Sequence, residues 1–126
     1  SHGGYHFGGQ PSVLKHLLGL GSPEIGLCID TAWAMQIGPQ QGNPVKWVSD
    51  FSGQVYGVHY KDFVFDRAGM WEDVVVGEGN LELKSFVSAL DKDNFDGMAV
   101  IEYEADVENP VPALTRCVER MRELTT

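Results

Sequence analysis

Apolar residues along the chain follow two different spacings. Short, nearly continuous β-type runs, "EIGLCID", "VYGVHY" and "MAVIEY", are separated by stretches where apolar residues recur every three or four positions. Runs of that length predict strands over Ile25–Asp30, Val55–Tyr60 and Met98–Tyr103, and the wider spacing predicts helices. The first helix is expected over about 11–19, with Pro11 in its first turn and Val13, Leu14, Leu17 and Leu18 on one face. Gly19 and Gly21 end it, and Ser22-Pro23 turns the chain into the first strand. After the polar segment "MQIGPQQG", Asn43 is a good N-cap and Pro44 suits the first helical position, with Val45, Val48 and Phe51 on one side. A long loop is expected from Lys61 to about Gly79, then a helix over about 81–91 capped by Asn80, with Leu83, Phe86, Val87 and Leu90 inward. The last helix, about 110–124, has one apolar stripe of Val111, Leu114, Cys117, Val118, Met121 and Leu124.

A helix followed by three strand–helix units predicts an α/β fold with a parallel sheet. Near-continuous apolar strands are what a sheet covered on both faces requires. Residues two apart on a strand share a face. Asp30 therefore shares its face with Gly26 and Cys28, His59 with Val55 and Gly57, and Glu102 with Met98 and Val100. The opposite faces, carrying residues such as Ile29, Val58 and Ile101, suit packing against helices. Each strand thus places one polar residue on the less bulky face at its C-terminal end, where parallel α/β folds build their active sites.

Composition narrows the chemistry. The chain has 126 residues, enough for one modest core, and is read as a single domain, 1–126. Its net charge of −9 argues against a nucleic-acid partner, because a phosphate backbone requires a positive surface. No apolar run approaches the length of a membrane span, so no membrane partner is expected. No signal-peptide pattern opens the chain, and a start at Ser rather than Met implies processing, cutting or engineering. Cys28 and Cys117 fall in a strand run and on a helix stripe, as buried thiols do, which fits a reducing, cytoplasmic setting.

Asp30, His59 and Glu102 together form a mixed nitrogen–oxygen ligand set that suits one divalent metal, Mn²⁺, Co²⁺, Zn²⁺ or Mg²⁺. The absence of thiolate ligands disfavours a structural zinc. Taken singly, each has a plainer reading: Asp30 caps a turn, His59 is a satisfied core histidine, and Glu102 pairs with a lysine. Lys61 either contacts substrate oxygens or a carboxylate, or belongs to a solvated loop pair with Asp62, and Trp33 either stacks on a ligand or packs in the interior. His6 is a candidate pocket residue and His16 a structural one. "GEGNLEL" lacks the third glycine of a dinucleotide fingerprint and reads as a tight turn starting a helix, its N–H groups facing the site. Glu104 and Asp106 read as loop residues.

At these residues the chain resembles the sugar isomerases and epimerases of the xylose-isomerase-like barrel superfamily. "HGGYHFGG" is similar to the loop after the fifth barrel strand, "IGLCIDTAWA" to the sixth strand and "VHYKDF" to the seventh. "GEGNL" is similar to the turn before the seventh helix, and "VIEYE" to the eighth strand. The resemblance implies the C-terminal half of a TIM (β/α)8 barrel, about strands 6–8 with helices 5–8. A full barrel needs about 250 residues. It also implies a metal held by Glu, Asp, His and Glu, of which Asp30, His59 and Glu102 would be the last three. The first Glu would fall at or before Ser1. His2 would stand at the mouth of the site or belong to a cloning scar. Glu102 would be one of two acid–base glutamates moving a proton next to a carbonyl, with the metal stabilising an enediolate. His2, His6, Trp33 and Lys61 would line a site for a sugar or sugar acid.

The related apurinic-site endonucleases carry a His where this chain has Trp33 and further ligands near Asn80, which with the acidic charge disfavours DNA repair. Without the first Glu, the isolated chain is expected to be incomplete as an enzyme. A half barrel leaves two open strand edges and exposes its interior face, so it is expected to form a homodimer or to pair with a complementing N-terminal half. The alternative is a non-catalytic, self-associating half-barrel, with or without metal.

Overall fold

The computed structural model describes residues 9–126. Helix α1 (Pro11–Leu20) precedes strand β1 (Leu27–Asp30), the short helix α2 (Thr31–Gln36) and helix α3 (Pro44–Asp50). Strand β2 (Val55–Tyr60) runs into a hairpin, β3 (Asp62–Phe65) and β4 (Trp71–Val74), and the chain ends with α4 (Leu83–Lys92), β5 (Met98–Ile101) and α5 (Val111–Thr125). Strands β1, β2 and β5 form one parallel sheet in that order, and β3 and β4 form a separate antiparallel pair. The α/β class and the parallel sheet of βα units agree with the pattern of the sequence.

One face of the sheet is closed by helices. Ile29 and Val58 on the sheet meet Val48 and Phe51 of the α3 region and Phe86 of α4, all essentially without exposure. Full burial of side chains this size is worth roughly 1.5–3 kcal/mol each, so this layer holds the sheet in place. Asn43 caps α3 as expected, its Oδ1 accepting from the N–H groups of Val45 and Lys46.

Among the described residues the other, less bulky face is open, as expected of the interior face of a half barrel. Met98 is 75% exposed, Val100 40%, and Cys28 is exposed rather than buried, while Cys117 is buried as expected. The helical stripes are only partly covered as well. On α1, Leu17 is exposed and no residue is fully buried, and His16 lies at the surface. On α5, Val111 and Val118 are exposed and only Cys117 is buried.

Simple alternation fails at the start of β2. Leu27 pairs with Val55, but Cys28 pairs with Gly57, so Tyr56 is an extra residue in a bulge. Val55 consequently joins the helix-side core with Val58, and Tyr56 swings out, its hydroxyl donating to the Pro23 carbonyl. From Gly57 onward the parity is as expected.

The expected loop after Lys61 is the β3–β4 hairpin. Its turn is built by Asp66, whose Oδ1 accepts from the N–H groups of Ala68 and Met70. Asn80 does not cap α4, which begins after Glu82 without a side-chain cap. Its Oδ1 instead accepts from Phe65 N–H, tying the hairpin to the segment before α4. The N–H groups of the "GEGNL" turn do not face the site either. Those of Gly77 and Gly79 donate to Asp62 Oδ2 at 3.0 Å each, and that of Leu81 donates to Oδ1 at 2.9 Å. A Cβ on Gly79 would lie 2.4 Å from Asp62 Oδ1, so the close approach requires glycine there.

Asp62 is fully buried, and burial pushes its carboxyl up against the opposing pull of these backbone donors. Replacing Asp62 by Ala would leave three N–H groups without their acceptor. We expect a loss on the order of 3 kcal/mol in urea unfolding, with an exposed Asp66→Ala costing far less. Burial and the charge of Asp91 push the Tyr60 phenol, packed on Phe86, up to about 12. Its contribution to stability is complete below the ordinary phenol value of about 10 and is lost as the pH rises from there towards 12, because only the unfolded chain ionises in that window. Denaturation followed between those values should show an alkaline loss on the order of 2 kcal/mol that Tyr60→Phe abolishes.

Candidate metal centre

The open face carries the polar strand ends. In the parallel register Asp30 lies opposite His59 and His59 opposite Val100, and Glu102 N–H donates to Tyr60 O just beyond the last paired residue. Three residues far apart in sequence are thereby set side by side. One ligand atom from each of Asp30, His59 and Glu102 lies within 4.8 Å of the others.

Each is oriented by its surroundings. Asp30 is the N-cap of α2, and its Oδ1 accepts from Trp33 N–H at 3.0 Å. The capping reading of Asp30 is thus met, and the same carboxylate lies in the Asp30, His59 and Glu102 cluster. His59 is not a core histidine: its side chain is 45% exposed, and its Nδ1 lies 2.9 Å from Glu102 Oε2. A carboxylate only accepts, so Nδ1 carries the proton in this contact. Thr31, fully buried, stitches the start of α2 to the end of β2: its Oγ1 donates to Lys61 O at 2.5 Å and accepts from Lys61 N–H at 3.0 Å.

The donor set fits a divalent cation. Ligand bonds to such an ion are about 2.0–2.2 Å, which places two donors on one ion at most about 4.4 Å apart. The observed spread is within a small side-chain adjustment of that limit. Two carboxylates and an imidazole supply hard oxygen and borderline nitrogen ligands with two negative charges. Cys28, on the same face, has its thiol pushed up by partial desolvation and by the charges of Asp30 and Glu102.

The remaining expected site residues are placed as follows. His2 and His6 lie outside the described residues. Trp33 is half-buried, its ring edge-on to Phe63 at 5.1 Å and to Trp71 of the hairpin at 5.4 Å, so packing accounts for much of its surface. Lys61 is no member of a solvated pair with Asp62. Its side chain has no exposure, and its Nζ lies 2.9 Å from Glu104 Oε2, 3.0 Å from Asp73 Oδ2 and 3.7 Å from Glu102 Oε1. Burial alone would pull this ammonium down, but the hydrogen bonds and charges of Glu104 and Asp73 outweigh it and raise it. Asp73 and Glu104 were not foreseen as neighbours of the site. Asp73 stands opposite Phe63 in the hairpin register, and reading the aromatic runs around Asp66–Gly69 as a hairpin would have brought it beside Lys61.

Among the described residues, no helix is long and apolar enough to cross a membrane. Several solved structures share the fold. A xylose isomerase domain protein from Planctomyces limnophilus superposes with a TM-score of 0.68 at 20% identity over 89% of this chain and 40% of its own. A D-tagatose 3-epimerase-like protein gives 0.63 at 21% identity, over 93% of this chain and 43% of its own. A protein from Parabacteroides distasonis gives 0.54 at 27% identity, over 90% and 44%. The chain thus spans about two fifths of the length of these structures. No curated protein matches it. The family model of the xylose isomerase-like TIM barrel matches residues 2–124, nearly the whole sequence, and the chain belongs to that family.

Proposed function

We propose that this chain supplies the metal-binding half of a sugar, or sugar-acid, isomerase or epimerase site. The observation that carries the reading is the convergence of Asp30, His59 and Glu102 at the C-terminal ends of three parallel strands. Membership of the barrel family and likeness to an epimerase-like structure support the reaction class.

Asp30, His59 and Glu102 would hold one Mn²⁺, Co²⁺, Mg²⁺ or Zn²⁺ ion. Such an ion would polarise the carbonyl and neighbouring hydroxyl of a bound sugar. Glu102, 30% exposed and facing the open side, takes or returns the proton on the carbon next to that carbonyl. Asp30 keeps its orientation through the helix cap, and Trp33 offers its remaining ring surface to the apolar side of the sugar. A second acid–base group and the wall opposite the open sheet belong to the rest of a barrel. In this reading that part is a complementing N-terminal half or a second copy of the chain, seated over Met98, Val100 and Cys28.

Calorimetric titration of the metal-free chain with Mn²⁺ or Co²⁺ tests the centre. One ion per chain is expected. Asp30→Asn, His59→Ala and Glu102→Gln should each weaken it by at least about tenfold while circular dichroism stays unchanged. Full affinity in any two of these variants would remove the ligand assignment.

A further inference from the structure

Lys61 occupies an unusual place for a residue beside an open site. It follows the strand end that carries His59 by two positions, yet its side chain is wholly shut off from solvent. Removing an ammonium from water is costly unless carboxylates surround it. Here three do: Asp73 from the hairpin strand β4, and Glu102 and Glu104 from the segment just after β5.

The distances divide these partners into two kinds. Asp73 and Glu104 are at hydrogen-bonding range, 3.0 and 2.9 Å, whereas Glu102 Oε1 is at 3.7 Å. The Asp73 carboxylate is itself pinned, since its Oδ2 also accepts from Glu104 N–H at 2.7 Å. Glu102 is thus gripped on two sides, by His59 Nδ1 on Oε2 and by the Lys61 charge beside Oε1. A glutamate has three rotatable bonds, and two contacts on opposite oxygens fix the plane of its carboxylate. An ammonium bonded to Asp73 and Glu104 and without solvent exposure is poorly suited to meeting substrate oxygens.

We propose that Lys61 is a positioning residue for Glu102 rather than a substrate contact. Asp73 and Glu104 hold its ammonium at a distance that orients the Glu102 carboxylate without capturing it. This inference rests on the reading of Asp30, His59 and Glu102 as a metal centre, and its consequences run against simple charge counting. Removing a cation from beside a cation site should tighten metal binding if charge alone mattered. Loss of an orienting partner should weaken it, typically by about 10–100-fold.

The test uses Co²⁺ alone as probe, with affinity and visible absorption read together, on the unaltered chain and on Lys61→Met, Lys61→Arg and the surface control Lys84→Met. Lys61→Met is expected to weaken Co²⁺ at least about tenfold and to change the shape of the absorption band. Lys61→Arg should recover most of both, and Lys84→Met should change neither. A metal-free readout accompanies it: the ¹⁵N resonance of His59 Nδ1 should lose its hydrogen-bonded position in Lys61→Met. Should Lys61→Met fail to fold, Asp73→Ala takes its place, releasing Lys61 towards Glu102 and moving the same resonance and band. A folded variant with equal or tighter Co²⁺ binding and an unaltered band overturns the proposal, as does an unmoved His59 resonance. Should Glu102→Gln leave Co²⁺ binding intact, the metal reading fails, and the His59 resonance then decides the role of Lys61 alone.

Discussion

Two consecutive buried charges, Lys61 and Asp62, hold the end of the central strand. Neither has measurable exposure, and each would be expensive to bury without partners. Asp62 is satisfied by three backbone N–H groups of the Gly77–Leu81 turn. Lys61 is satisfied by carboxylates from the hairpin and from beyond β5. Asp62 therefore fastens the end of β2 to the entry of α4, and Lys61 fastens it to the site. Because β2 lies between β1 and β5, fixing its end fixes the strand from which His59 projects.

The site inherits its geometry from that strand. Parallel register places Asp30 and His59 directly opposite each other, and Glu102 follows the last residue of β5. Thr31 adds a second tie between neighbouring strand ends, since its hydroxyl engages both the N–H and the carbonyl of Lys61. Backbone, cap and hydroxyl thus fix the three candidate ligands from behind, while the open face leaves them accessible.

Much of this was legible in the sequence, and the reasons differ by element. Continuous apolar runs marked all three sheet strands, and the two-residue alternation near their C-terminal ends grouped Asp30, His59 and Glu102, which lie together in the fold. Asn43 and Pro44 announced α3 through local chemistry that needs no tertiary partner. The bulge at Tyr56 was invisible because it arises from pairing between strands, which no local pattern in β2 records. The hairpin was hidden by its composition: Arg67, Ala68 and Gly69 read as loop, and the β4 run "WEDV" carries two acids in four residues. The burial of Lys61 and Asp62 was missed for a related reason. Charged residues read as surface until the groups that neutralise them, 12 to 43 positions away, are folded against them. The exposure of Met98 and Val100 could not be inferred from their hydrophobicity, because their character says only that they suit a covered face.

The separation of the three candidate ligands along the chain has a kinetic side. His59 and Glu102 are 43 residues apart, and Asp30 comes from yet another βα unit, so the unfolded chain offers an ion no compact stretch that carries the set. The candidate centre requires the long loops between its strands to be closed by strand pairing, a slow class of event. An ion that needs all three ligands would therefore distinguish a finished sheet from every partly assembled one, and its binding energy would add directly to the stability of the completed fold. Its capture would serve as a chemical timestamp on the last step of folding.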